Sequence, residues 1–62
     1  MLRAACVIPA YQAANTIAAV VEGVRLHAPG LLVVVVDDGS SDATFDVAMA
    51  CGADQVIRHA SN

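Results

Sequence analysis

Apolar positions along the chain mark three segments with the pattern of β-strands. An uninterrupted apolar run from Leu31 to Val36, rich in valine and without polar alternation, is typical of a parallel strand buried on both faces. A shorter apolar segment precedes Pro9, which is expected to stop the strand, and an extended pattern resumes near residue 55. The pattern therefore predicts strands at residues 4 to 8, 31 to 36 and 55 to 59.

The interval between the first two strands has the spacing of an amphipathic helix. One apolar stripe, with i, i+3, i+4 and i+7 spacing, consists of Ile17, Val20, Val21 and Val24. Asn15 is the expected N-cap, and Pro29 with Gly30 is expected to end the helix.

The second interval also predicts a helix. Ser40 or Ser41 is its expected cap, and Asp42 falls in the first turn, where a carboxylate complements the helix dipole. Gly52 follows the expected end of this helix. Its inner stripe consists of Thr44, Val47, Ala48 and Cys51.

The order of elements predicts an α/β fold of the type βαβαβ. Because crossovers between parallel strands are right-handed, the expected strand order is 3-2-1, as in one Rossmann-like half of a doubly wound sheet.

Composition and charge narrow the class of protein. The 62 residues can form one small domain at most, and 58% are hydrophobic, which favours a packed core over disorder. The net charge of −3 and the scattered arginines leave no basic patch for nucleic acid or an anionic membrane. No apolar stretch is long enough for a signal peptide or a membrane span, so the expected location is the cytoplasm. Cys6 and Cys51 lack metal-type spacing and are expected to be reduced core residues.

Side chains suited to a nucleoside follow the first two predicted strands. Tyr11 lies just beyond the first strand, and Asp37 and Asp38 follow the second. The carboxyl ends of parallel strands form the ligand-binding edge of open α/β sheets, so these residues are expected at one edge. An aromatic ring can stack on a base, while a carboxylate can accept hydrogen bonds from a base or a ribose. The chain has no lysine and no glycine between Ile8 and Glu22, so it lacks the Walker lysine and the G-x-G-x-x-G turn.

Two motifs at this separation carry a family resemblance. They are V-I-P-A-Y-Q at residues 7 to 12 and V-V-D-D-G-S-S-D at residues 35 to 42. Over nearly its whole length the chain resembles the amino-terminal part of a family 2 glycosyltransferase of the GT-A fold. The resemblance implies that residues 1–62 are the donor-nucleotide-binding part of an incomplete domain, from an enzyme that transfers a sugar from a UDP- or GDP-sugar to an acceptor.

The resemblance also assigns roles to particular residues. It implies that the nucleotide is contacted by Pro9, Ala10, Tyr11, Asp37 and Asp38, with Asp38 the strongest candidate for the base or the ribose. Ser40 and Asp42 are expected to shape the turn and to cap the second helix. The family usually has Asn and then Glu after the tyrosine, whereas this chain has Gln12 and Ala13, so a polar contact there is expected to be shortened or lost.

The family's metal motif, its catalytic base and its acceptor-binding region come later in the sequence. The resemblance therefore implies Mg²⁺ or Mn²⁺ for the complete enzyme, with ligands beyond this chain. The chain alone is expected to be inactive, and any membrane association would come through parts not present.

Two other function classes stay open at this point. One is a nucleotide-binding or truncated module without activity of its own. The other is a phosphorylatable receiver domain, which ranks last. In receiver domains the acidic pair follows the first strand, whereas in this chain it follows the second. A calcium loop beginning at Asp38 is excluded, because Ala43 and Met49 occupy the positions of its glycine and its final glutamate. His27 and His59 have no sequence partner, and ordinary surface or strand-end roles are favoured for them.

Overall fold

The computed structural model describes residues 4–59. Strands and helices alternate along the chain, which confirms the predicted βαβαβ order. The elements are β1 (Ala5–Ala10), α1 (Ile17–His27), β2 (Leu32–Asp38), α2 (Thr44–Ala50) and β3 (Gln55–His59).

The three strands form one parallel sheet with the order β1-β2-β3. This confirms the order expected from right-handed crossovers. At the carboxyl edge of the sheet Ala10 pairs with Asp37, and Asp38 pairs with His59. The residues that follow β1 and β2 therefore start from neighbouring positions on one edge.

Only one face of the sheet is covered by the helices. Val33 and Val35 are fully buried in a core with Ile17 and Val21 of α1 and Ala48 of α2. Two successive crossovers of the same hand, made in the same direction across the sheet, place both helices on the same side.

No described residue outside the strands is seen to cover the opposite face of the sheet, which we call the open face. Val34 and Val36 are half-buried, and on the same face Val7 is 61% exposed and Ile57 is 40% exposed. The prediction that β2 is buried on both faces is therefore wrong. The uninterrupted apolar run indicates a strand, but it does not show that both faces of the strand are packed. Residues that pack on the second face would have to come from outside residues 4–59.

Two strand boundaries differ from the prediction. β1 continues through Pro9 to Ala10 and does not stop at residue 8. Within the described part of the chain β1 has one neighbouring strand and is an edge strand, in which a proline can lie without removing a ladder hydrogen bond. β2 begins at Leu32 and continues through both aspartates.

The start of each helix also differs from the prediction. The N-cap of α1 is Thr16 and not Asn15, and the Ala13 carbonyl accepts the N–H groups of Thr16 at 3.0 Å and Ile17 at 2.8 Å. α2 begins at Thr44 after Ala43, so neither predicted serine caps it. Those serines instead contact the loop that follows β1.

Three apolar or sulfur-containing side chains are less buried than expected. Val20 is exposed, although it belongs to the predicted stripe of α1, since that stripe is wider than the contact with the sheet. Cys6 and Cys51 are free thiols, and both are half-buried at the margin of this thin core.

The amino edge of the sheet is held by Arg25 and Asp54. Gly52 follows α2 with φ 93°, as predicted, and its carbonyl accepts a hydrogen bond from Arg25 Nε at 3.0 Å. Arg25 also forms an ion pair with Asp54 at 3.1 Å, and Asp54 accepts the Val33 N–H at 2.7 Å. These contacts tie the end of α1 and the turn before β3 to β2, at the edge opposite the strand-end aspartates.

Within residues 4–59, neither helix has the length and apolar character needed to span a membrane.

Candidate functional site

The two aspartates at the end of β2 lie on opposite faces of the sheet. Successive residues of a strand alternate in direction, so Asp37 shares the helix-covered face with Val33 and Val35. Its side chain is fully buried. Asp38 lies on the open face, and its side chain is 51% exposed. Of the acidic pair, Asp38 is therefore the carboxylate that a ligand in solution can reach.

The buried Asp37 carboxylate fixes the turn after β2. Its Oδ1 accepts the Ser40 N–H at 3.1 Å, across the positive-φ residue Gly39. Its Oδ2 lies 3.5 Å from Arg58 Nε and has no hydrogen-bond partner among residues 4–59. The Arg58 guanidinium lies over the Phe45 ring, 4.6 Å from the centroid. Asp37 thus holds the turn after β2 and forms an ion pair with Arg58 of β3.

His59, which was not among the site residues predicted from the sequence, lies beside Asp38. His59 Nδ1 is 3.5 Å from Asp38 Oδ1, and both side chains are more than half exposed. The signal for this pair is the parallel register, which sets the last residue of β3 opposite Asp38. This register depends on β2 extending to Asp38, two residues beyond the end that the sequence predicts, and a lone histidine in the sequence does not indicate the pair.

The residues predicted from the first motif divide between the interior and the surface. Tyr11 directly follows β1, and the residue is 56% exposed. Pro9 is also exposed, whereas Ala10 is buried in the core. The sheet therefore brings all five predicted residues to one edge, with Pro9, Tyr11 and Asp38 accessible, and Ala10 and Asp37 covered. Their contact with a nucleotide stays a prediction.

Hydrogen bonds join the loop after β1 to the loop after β2, and we call this set of hydrogen bonds the loop clasp. It connects residues 12–14 with residues 40–44. The Gln12 N–H donates to Ser40 Oγ at 2.9 Å, and Gln12 Oε1 accepts the Ser41 N–H at 2.7 Å. The Ala13 N–H donates to Thr44 Oγ1 at 2.8 Å. Gln12 therefore makes close polar contacts within the chain, while the expectation that a polar contact typical of the family is shortened or lost here stays a prediction.

Asp42 belongs to the same clasp and to the start of α2. Its Oδ1 accepts the Thr44 N–H at 3.0 Å and also the Thr44 hydroxyl, while Oδ2 accepts the Ala14 N–H at 3.3 Å. The hydrogen bond from the Thr44 hydroxyl, followed by those from the backbone, holds the pKa of Asp42 below its ordinary value. Ser40 and Asp42 thus shape the turn, as expected from the sequence. Neither of them is the N-cap of α2, which is Ala43, and Asp42 precedes the helix and does not lie in its first turn as predicted.

The described residues do not fit a divalent metal. Within residues 4–59 no group of three or more His, Cys, Asp or Glu side chains is placed to hold an ion. At the carboxyl edge, Asp37 is buried beneath the helices, and Asp38 faces the other way. The expected Mg²⁺ or Mn²⁺ stays a prediction for residues outside this chain.

Fold and edge together define a parallel α/β unit with an accessible aromatic ring and carboxylate at its strand ends. The family model described as Glycosyl transferase family 2 matches residues 5–62. The chain therefore belongs to glycosyl transferase family 2, which confirms the resemblance carried by the two motifs. Neither a curated protein nor a solved structure matches the chain.

Proposed function

We propose that this chain forms the donor-nucleotide side of a glycosyltransferase that uses a UDP- or GDP-sugar. The observation that supports this most strongly is the pairing of an exposed Tyr11 with an accessible Asp38, at the carboxyl ends of adjacent parallel strands in a family 2 chain. Ligands of open α/β sheets bind at this edge.

Tyr11 and Asp38 supply complementary interactions with a nucleoside. The Tyr11 ring stacks on the base, a contact worth about 1–3 kcal/mol in proteins that bind exposed bases. The Asp38 carboxylate accepts hydrogen bonds from a base N–H or from ribose hydroxyls, each worth about 1.5–3 kcal/mol. Pro9, on the open face like Asp38, contributes apolar surface beside the ring.

Ala10 and Asp37 act from beneath this surface. Ala10 is small and buried, so the end of β1 packs closely against the core. Asp37 holds the Ser40 N–H and thereby the turn that directly follows Asp38. Their part in nucleotide binding is to fix the backbone on which Tyr11 and Asp38 are carried.

Binding a nucleotide is only one part of sugar transfer. The reaction also requires a base for the acceptor hydroxyl and stabilisation of the charge on the leaving diphosphate. In the proposed arrangement Asp38 is engaged at the nucleoside, and Asp37 is paired with Arg58 in the interior. We therefore propose that this chain binds the nucleotide without transferring sugar, and that a divalent cation and the base are supplied by other parts of the enzyme.

Calorimetric titration of the chain with UDP and GDP tests the proposal. Asp38→Asn removes the charge but keeps the shape, and it should weaken binding by about 10- to 150-fold, equivalent to about 1.5–3 kcal/mol. Glu22→Gln is the matched control, because it makes the same change on the exposed surface of α1. Equal affinities for the parent and Asp38→Asn would show that Asp38 does not bind the nucleotide.

A further inference from the structure

Gln12 has an unusual backbone conformation for its residue type. With φ 52° it is the one non-glycine residue of positive φ among residues 4–59. The left-handed region is unfavourable for an L-residue, and glutamine lacks the short side chain that lets asparagine enter it more easily. Such a conformation persists only where the surrounding structure holds it, and residues of this kind cluster at functional sites.

The side chain of Gln12 is held at the other loop. Its Oε1 accepts the Ser41 N–H at 2.7 Å, with longer contacts from the Ser41 hydroxyl at 3.3 Å and the Asp42 N–H at 3.4 Å. Its backbone N–H donates to Ser40 Oγ at 2.9 Å. One residue of the first loop thus contacts three consecutive residues of the second.

The position of Gln12 in the chain gives this contact a consequence for the site. Gln12 directly follows Tyr11, while Ser40 and Ser41 come just after Asp38 and Gly39. The turn at Gln12 sets the direction in which the chain leaves Tyr11, and the amide contact fixes that turn against the segment that follows Asp38. The same residue is therefore connected to both accessible side chains of the site.

We propose that Gln12 is a positioning residue that sets the Tyr11 ring and the Asp38 carboxylate at the spacing a nucleoside needs. This inference rests on the proposed function, since it concerns the same site. In this arrangement Gln12 acts through the two loops, since its amide oxygen is engaged by the second loop. The strain of the left-handed turn is retained because the turn orients Tyr11.

Two substitutions separate positioning from simple stabilisation. Gln12→Ala removes the amide and keeps the backbone strain, whereas Gln12→Gly removes the amide and relieves the strain. The melting temperature of the glycine variant should therefore stay closer to that of the parent. Both variants should bind UDP about 3- to 10-fold more weakly, the equivalent of about one net hydrogen bond. Gln55→Ala, at the exposed start of β3, is the matched control and should keep the parental Kd.

A second readout needs no ligand. Tyr11 is the single tyrosine of the chain, which contains no tryptophan, so the intrinsic fluorescence reports on this ring alone. Its steady-state anisotropy should fall in both Gln12 variants at a temperature where the chain is folded, and it should not change in Gln55→Ala.

The outcomes distinguish this proposal from the proposed function. A parental Kd for UDP in Gln12→Gly and Gln12→Ala overturns the positioning role, and so does an affinity that simply follows the melting temperature. If the parent binds neither UDP nor GDP, the proposed function fails. The anisotropy then decides alone whether Gln12 holds Tyr11, and unchanged values would overturn that claim.

Discussion

Replacing Arg58 with methionine should destabilise the fold, because it leaves a buried carboxylate without its counter-charge. The Asp37 side chain is fully buried, and its Oδ2 has only the ion contact with Arg58 at 3.5 Å. Methionine keeps an unbranched apolar side chain and removes the charge, together with the guanidinium that lies over Phe45. Arg58→Met therefore addresses the ion pair more directly than a truncation to alanine.

The size of the effect follows from the geometry of the pair. Unit charges 3.5 Å apart attract by about 5 kcal/mol at an effective dielectric constant of about 20. The Arg58 side chain is 49% exposed, so water screens part of this attraction, and we expect a net loss of about 2 kcal/mol. A chain of 62 residues has a total stability of roughly 3–9 kcal/mol, so the change is large enough to measure.

Urea unfolding followed by circular dichroism gives the free energies, and a double-mutant cycle isolates the pair. Asp37→Asn keeps an oxygen for the Ser40 N–H but carries no charge, so Arg58→Met should cost about 1 kcal/mol or less in that background, mainly through the lost contact with Phe45. The expected coupling energy is therefore about 1–2 kcal/mol, at an unchanged m-value. A coupling energy indistinguishable from zero would refute the assignment of Arg58 as the counter-charge.

Three further predictions concern pH, glycine and the two faces of the sheet. The hydrogen bond from the Thr44 hydroxyl, followed by those from the backbone, lowers the pKa of Asp42 in the folded chain. The contribution of Asp42 to stability is therefore present above its pKa in the unfolded chain, and it is lost as the pH falls through its pKa in the folded chain. Asp42→Asn should flatten the acid limb of a plot of melting temperature against pH. Gly52→Ala should destabilise the chain by about 1–2 kcal/mol because residue 52 has a positive φ, while Gly23→Ala should stabilise it by about 0.5–1 kcal/mol because alanine favours the helix α1. At both positions the added Cβ meets nothing within 4 Å, so a steric clash does not contribute to either effect. The urea midpoints of the two variants test this. Val33→Ala should cost about 2 kcal/mol and Val34→Ala clearly less, because only the first lies in the closed core; equal losses would mean that both faces are covered.

The type and order of the elements were predictable because each rests on local spacing. The valine-rich run, the helical stripe beginning at Ile17 and the glycine after α2 all specify their element within a few residues. The direction of the crossovers then follows from chirality, which gave the correct strand order. The same chirality also implies that both helices lie on one face of the sheet. The apolar run of β2 favours packing on both faces, and it therefore conflicts with the placement that chirality gives.

The sequence predicts which residues of the site lie at the same edge of the sheet, but it does not predict which side chains are accessible or which contacts they make. Strand ends alone bring Tyr11 and the two aspartates to one edge. Which aspartate is accessible depends on the phase of β2 relative to the helices, and this buries Asp37 and leaves Asp38 open. The contacts of Gln12 and His59 join residues distant in the sequence, so no local pattern indicates them.

Amide chemical-shift mapping of the chain during titration with UDP and GDP tests the central claim most directly, because it locates the ligand as well as detecting it. The account predicts shifts concentrated at the carboxyl edge of the sheet, at Tyr11, Gln12, Asp38 and Gly39, with a smaller effect at His59. Saturating nucleotide that produces no shifts would contradict it. So would shifts centred on Arg25 and the turn before β3, at the opposite edge of the sheet.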